Sequence, residues 1–168
     1  PSHYDLLWDL DIANNRATGR VTIRGRKTGR PSQRISLHGK GLKVTAAKVT
    51  KHDKKSGDID VAIERVNLQK SLDEIRLHSG SLLYPGDYTV ELEFTAAIQT
   101  SMHGMYRSNY KLEGQDKVLV STQFESHHAR EAFPCVDEPE AKATFNVTLV
   151  NDEGLLAVGN MPAKQQST

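Results

Sequence analysis

Along residues 4–12 the chain alternates, with Tyr4, Leu6, Trp8, Leu10 and Ile12 on one side and Asp5, Asp9 and Asp11 on the other. A period of two marks a half-buried strand. Asn14, Asn15 and Gly19 supply turn chemistry before Val21 and Ile23 begin the return. Shorter alternations follow at Ile35/Leu37, Leu42/Val44, Ile59/Val61/Ile63 and Ile75/Leu77, each bounded by Gly, Ser, Asp or Lys. Pro85-Gly86-Asp87 reads as a tight turn that launches Tyr88, Val90, Leu92 and Phe94, with Thr89, Glu91 and Glu93 opposite, and it predicts the clearest hairpin of the chain. Further strands are expected over residues 105–111, 118–124, 145–149 and 155–158.

Helical periodicity is nearly absent. Residues 126–132 have room for one short turn before Pro134 and Pro139 stop anything longer. About ten short antiparallel strands predict an all-β fold, a sandwich or saddle of curved, mostly antiparallel sheets. No internal repeat, low-complexity tract or long linker divides the chain, so its 168 residues read as one domain.

Composition agrees with a packed soluble chain: 37% hydrophobic and 26% charged residues, with a net charge of +1. That balance draws the chain to neither nucleic acid nor an anionic membrane. The local cluster of Arg24, Arg26, Lys27, Arg30 and Arg34 has no aromatic residue among it on which a base could stack, and reads as solvated strand ends and a turn. One cysteine, Cys135, excludes an internal disulfide and points to a reducing, cytoplasmic location. No run approaches the roughly 18 apolar residues of a membrane-spanning helix. Asn146-Val147-Thr148 spells a glycosylation sequon, but it falls within an expected strand, where chance is the better reading.

The chain lacks the usual catalytic spacings. Seven histidines are present, at positions 3, 38, 52, 78, 103, 127 and 128, yet no His-Glu-x-x-His occurs. His127 and His128 are adjacent, which in an extended chain sends them to opposite faces. There is no nucleophile elbow and no phosphate loop. Cys135, between Pro134 and Val136, reads as a small buried hydrophobe rather than a catalytic thiol. The carboxylates of Asp137-Glu138-Pro139-Glu140 lie in a rigid corner, with Asp137 expected to accept from nearby backbone N–H groups. One pair stands apart: Gln123 and Glu125 flank core-facing Phe124 at the end of an expected strand and share a face. A carboxylate beside a neutral amide suits recognition of a cationic amine. Periodicity alone equally allows two ordinary exposed polar residues.

The run Ser-Thr-Gln-Phe-Glu-Ser-His-His-Ala-Arg-Glu-Ala-Phe-Pro-Cys-Val-Asp-Glu-Pro-Glu-Ala-Lys-Ala-Thr-Phe, residues 121–145, closely resembles the signature stretch of aminopeptidase N-like zinc metallopeptidases. Gly159-Asn160-Met161-Pro162, Pro85-Gly86-Asp87-Tyr88 and Gly104-Met105-Tyr106-Arg107-Ser108-Asn109-Tyr110 are similar to further segments of that family, and the resemblance is densest over residues 84–162.

The resemblance implies a saddle-shaped β-domain at the front of a multi-domain peptidase that removes N-terminal amino acids from peptides. Carried over residue by residue, it makes Gln123 and Glu125 the substrate-binding residues, with the Glu125 carboxylate holding the free α-ammonium. Zinc, the catalytic residues and the oxyanion-stabilising group belong to a downstream catalytic domain of the same polypeptide. The isolated chain is then expected to bind no metal and to be inactive. Its partners are a peptide with a free N-terminus and that downstream domain, with no nucleic acid and no membrane span. The chain stops at Gln165-Gln166-Ser167-Thr168, whereas the family's β-domain runs on, so an incomplete domain lacking its last strands is expected. The competing reading is a non-catalytic β-sandwich that binds protein or carbohydrate, or a scaffold relative of the family.

Overall fold

In the computed structural model, which describes residues 1–167, the alternation at the N-terminus becomes β1 (His3–Asp11). Its even-numbered residues Tyr4, Leu6, Trp8 and Leu10 are buried. The chain turns through Asn14 and Asn15 into β2 (Arg16–Lys27), which pairs antiparallel with β1 over its first nine residues. There follow β3 (Ser32–His38), β4 (Lys43–Asp53), β5 (Gly57–Val61), β6 (Ile63–Gln69), β7 (Glu74–Leu83), β8 (Gly86–Ala97), β9 (Gly104–Leu112), β10 (Gln115–Gln123) and β11 (Thr144–Val150). Helical structure is confined to two three-residue 3-10 turns, Lys70–Leu72 and Ala129–Glu131, and among the described residues no helix is long and apolar enough to cross a membrane. The fold is all-β.

Three sheets result. The largest has six strands in the order β11-β1-β2-β8-β4-β5; a second has the order β3-β7-β6; the third is the β9-β10 ribbon. Alternate residues of β1, β2 and β8 face one way, so Tyr4, Leu6, Trp8, Val21, Ile23, Val90, Leu92 and Phe94 gather into a core. Leu37, Ile75 and Leu77 from the second sheet, Met105 from the ribbon, and Ala132, Phe133 and Cys135 from the corner after β10 complete it. Cross-strand pairs discharge most of the basic cluster's first half. Arg24 meets Asp5 at 2.6 Å and Arg26 meets Asp87 at 3.2 Å.

The structure corrects three sequence expectations about the strands. Pro85-Gly86-Asp87 does not close a hairpin. It carries the chain from β7 in one sheet to β8 in another, and β8 takes β2 and β4 as partners. A Pro-Gly bend reverses direction, but it leaves the choice of partner strand to packing. The tightest two-residue hairpin instead joins β9 to β10 through Glu113 and Gly114, whose φ values of 52° and 79° match a type I′ turn. The apolar run at Ile59/Val61/Ile63 is not one strand: it breaks after Val61, and β5 joins β4 while β6 joins β7.

In the C-terminal third one expectation is met and one is corrected. β11 lies parallel to β1, with His3 opposite Thr144 and Asp9 opposite Val150, so the sheets are mostly but not wholly antiparallel. Residues 155–158 form no strand; Leu156 and Val158 are 88% and 84% exposed. The four consecutive apolar residues after Gly154 make a strand only where a neighbouring ladder pairs with their N–H and C=O groups. Of the closing run 165–168, Thr168 lies outside the described residues.

Candidate functional site

β10 ends at Gln123, which sits opposite Gly104 of β9. Phe124 then turns inward, half-buried, and its ring meets that of Phe133 edge-on at 5.9 Å. Glu125 opens a turn that closes when His128 N donates to Phe124 O at 2.9 Å. Gln123 and Glu125 are both exposed on either side of that anchored phenylalanine. Among the described residues, neither side chain has a hydrogen-bond or ion-pair partner within the chain.

The corner that follows is bound to distant parts of the chain. Trp8 Nε1 donates to Ala132 O at 3.2 Å, and Val136 N donates to the Tyr4 hydroxyl at 3.0 Å. Burial, above all, pushes that phenol up to about 12. His38 and Cys135 exchange backbone hydrogen bonds of 2.7 and 3.1 Å, and Asp137 N donates to His38 Nδ1 at 3.0 Å. Inside the corner Asp137 Oδ2 accepts from Arg130 N at 3.2 Å and Arg130 Nε at 2.9 Å, while Arg130 Nη2 reaches Asp137 O at 3.2 Å. The sequence pointed to backbone donors for Asp137. It did not single out Arg130, because the two are seven positions apart and meet only when the chain bends through Phe133 and Pro134.

A second brace holds the turn from below. Lys40 N donates to Arg130 O at 2.8 Å, and Lys40 Nζ lies 3.0 Å from Glu131 Oε1. Burial raises the Glu131 carboxyl, but hydrogen bonds from Lys40 and His128 outweigh it and leave the group below its ordinary value. Lys40 is raised by the same contact. Gly104 fits here with φ of 64°, and a Cβ on it would come 2.9 Å from Glu131 Cβ. Glycine is the residue that accepts both constraints.

His127 and His128 do not point apart. The chain there is a turn rather than a strand, so their rings stack at 4.7 Å, and His103 stacks on the other side of His128 at 4.2 Å. Parallel rings do not converge their nitrogens on a common point. Among the described residues no cluster of three or more His, Cys, Asp or Glu side chains is placed to hold a metal ion. Cys135 is buried, and burial pushes its thiol well above the ordinary range, with Asp137 adding to the effect. It is not poised as a thiolate nucleophile.

Chemically, the arrangement offers an unengaged carboxylate and an unengaged amide beside a heavily cross-braced corner. It has the means to receive a cation, and the Ser126 hydroxyl beside it is in hydrogen-bond contact with His127 Nδ1 at 2.7 Å.

Comparison with known proteins adds a family to this geometry. Aminopeptidase N of Lactobacillus helveticus is 38% identical over 164 residues, covering 96% of this chain and 18% of the relative. Aminopeptidase N of Lactococcus lactis subsp. lactis is 38% identical over 165 residues with the same coverage. Endoplasmic reticulum aminopeptidase 1 of Mus musculus is 32% identical over 167 residues, 96% of this chain and 17% of the relative. The chain thus spans less than a fifth of the length of these relatives. The Peptidase M1 N-terminal domain matches residues 1–168, and the chain belongs to that family.

Proposed function

We propose that this chain is the substrate-anchoring N-terminal domain of a zinc-dependent aminopeptidase, and that Glu125, assisted by Gln123, holds the free α-ammonium of a peptide. The observation that carries the reading is the exposed Glu125 carboxylate, free of intrachain partners among the described residues and set on a braced corner in a chain of this family. A carboxylate at about 4 Å from an ammonium gains roughly 4 kcal/mol at an effective dielectric of about 20, before desolvation is counted. That favours peptides with a free N-terminus over blocked ones. The Gln123 amide has a carbonyl to accept a further ammonium proton.

In this reading zinc and the catalytic groups reside in a downstream domain of the same polypeptide, and no step of the hydrolysis is assigned to residues of this chain. The chain alone then releases no amino acid from an aminoacyl reporter. A cytoplasmic location accompanies the reading, since a chain with one thiol keeps it reduced there.

The test uses the polypeptide that carries this chain together with its catalytic domain. Glu125→Ala is expected to lower kcat/KM on a free-amine substrate by about ten- to a thousandfold, with zinc content unchanged by metal analysis. An unchanged kcat/KM refutes the anchor role.

A further inference from the structure

Among the described residues, Arg107 is the one guanidinium that the fold fixes in place without a counter-charge. It lies in β9, half-buried, and its backbone N donates to Gln99 O at 2.9 Å. Its Nη1 donates to Asn15 Oδ1 at 2.6 Å and its Nη2 to Asn109 Oδ1 at 3.2 Å. Its Nε is buried with no partner. Both acceptors are neutral amides. Arg20, Arg24, Arg26, Arg76 and Arg130 each meet an Asp or Glu; among the described residues, Arg107 meets none within 4.0 Å. A guanidinium carries five N–H donors. Two are engaged and one is shut in, which leaves two on the terminal nitrogens.

The surroundings are built from three segments. Asn15 comes from the β1–β2 turn with φ of 53°, Thr100 from the loop after β8, and Ser108 and Asn109 from β9; with Arg107 they line an open cleft of about 650 Å³. Backbone bonds tie the segments together: Ile98 N to Asn15 O at 2.8 Å and Gln99 N to Met105 O at 2.8 Å. Arginine only donates, so each asparagine must turn its carbonyl oxygen to Arg107, which leaves both amide NH₂ groups for another acceptor. The cleft therefore presents one positive charge and the amide donors of Asn15 and Asn109, with no carboxylate among its lining residues.

We propose that this cleft binds a carboxylate presented by a small ligand, with the two oxygens on the unused N–H groups of Arg107 and the amides of Asn15 and Asn109 as flanking donors. The planar fork of a guanidinium matches a carboxylate's two oxygens, and one positive charge balances a monoanion but leaves a phosphate dianion half-compensated. The site is independent of the ammonium anchor. Gln123 shares its face of the ribbon with Gly104, and Arg107, three residues on, lies on the opposite face.

The experiment is a nuclear magnetic resonance titration of the unmodified protein, observing arginine and asparagine side-chain N–H groups at constant ionic strength. The probes are N-acetylglycinate, which has a carboxylate and no free amine, its uncharged amide N-acetylglycinamide, and inorganic phosphate. Saturable shifts at Arg107, Asn15 and Asn109 are expected with N-acetylglycinate alone, with half-saturation at roughly millimolar concentration for a single solvent-accessible charge pair. Arg107→Lys keeps the charge and loses the fork, and is expected to weaken binding about tenfold; Arg107→Gln abolishes the saturable shift. A shift that rises linearly, an equal response to the amide, tighter binding of phosphate, or saturation that survives Arg107→Gln overturns the proposal. Because the side chain is observed directly in the unmodified protein, a variant that fails to fold leaves the decision intact.

Discussion

Removing the Asp137 carboxylate tests whether the corner is held by charge or merely by shape. The pair is largely buried, with side-chain exposures of 13% for Arg130 and 11% for Asp137. Breaking such a pair from one side costs about 3–5 kcal/mol, because the remaining charge is left without its partner in a poorly solvated place. The Arg130 Nη2 bond runs to the Asp137 backbone oxygen and survives truncation of the side chain, which sets the expectation for Asp137→Ala at the lower end, about 3 kcal/mol. In a chain of this length that lowers Tm by about 6–12 °C. Removing both charges relieves the orphaned guanidinium. Arg130→Met with Asp137→Ala leaves the backbone N–H at position 130 without its acceptor and the backbone oxygen at position 137 without its Nη2 donor, a loss of about 1 kcal/mol for each.

The double variant is therefore expected to be more stable than Asp137→Ala alone, by about 1 kcal/mol, and its loss to fall short of the sum of the two single losses. Urea unfolding followed by the fluorescence of Trp8 is the assay. Trp8 is the sole tryptophan, it is buried, and its indole N–H donates into the corner at Ala132. If the double variant loses the sum of the two single losses, the carboxylate and the guanidinium are not coupled. The corner would then be held by packing and backbone bonds alone.

Two further outcomes follow from the same structure. The ring of Phe94 lies against Gly19 on the paired strand, where an added Cβ overlaps it; Gly19→Ala is expected to cost about 1–3 kcal/mol by overpacking, measured by thermal unfolding. The Glu131 carboxyl is lowered in the folded state from its ordinary value of 4.5. Its contribution is thus present above that value and is lost as pH falls through the lower, folded-state value. The Tm difference between the parent and Glu131→Gln should be constant near neutrality and shrink below about pH 4.5; a difference that grows with acidification refutes the assignment.

Where a strand has one face in the core and one in solvent, the sequence announces it. β1 and β8 are legible because Tyr4, Leu6, Trp8 and Val90, Leu92, Phe94 alternate with neighbours that are charged or hydroxylated except at Leu7, and burial follows that alternation. Partnership was not legible. Nothing in Pro85-Gly86 says that β8 will pair with β2, where Gly86 meets Lys27, and nothing in Phe145 and Val147 says that β11 will run parallel to β1. The candidate site divides the same way. Gln123 and Glu125 are local, two positions on a strand end, and were found as such. Arg130 with Asp137, the stacked His103, His127 and His128, and Arg107 with Asn15 are products of bends and crossings, whose geometry a linear pattern does not carry.

The support behind Glu125 is assembled from contacts of long sequence range. Trp8 reaches Ala132, Tyr4 reaches Val136, and His38 reaches Asp137, separations of 124, 132 and 99 positions. Ordering a corner by such contacts carries a chain-closure entropy that folding meets once, before any ligand arrives. A carboxylate on a freely moving loop would instead lose its conformational freedom at the moment of binding, which costs about 0.5–1.5 kcal/mol for each side chain immobilised and more for the backbone beneath it. Phe124 connects the two cases. With its ring on Phe133, itself in edge-on contact with Tyr4 and Trp8, the residue directly before Glu125 is part of the core. The carboxylate therefore stands one residue from a fixed point, which under the proposed anchor role lowers the conformational freedom that a bound cation would have to restrict.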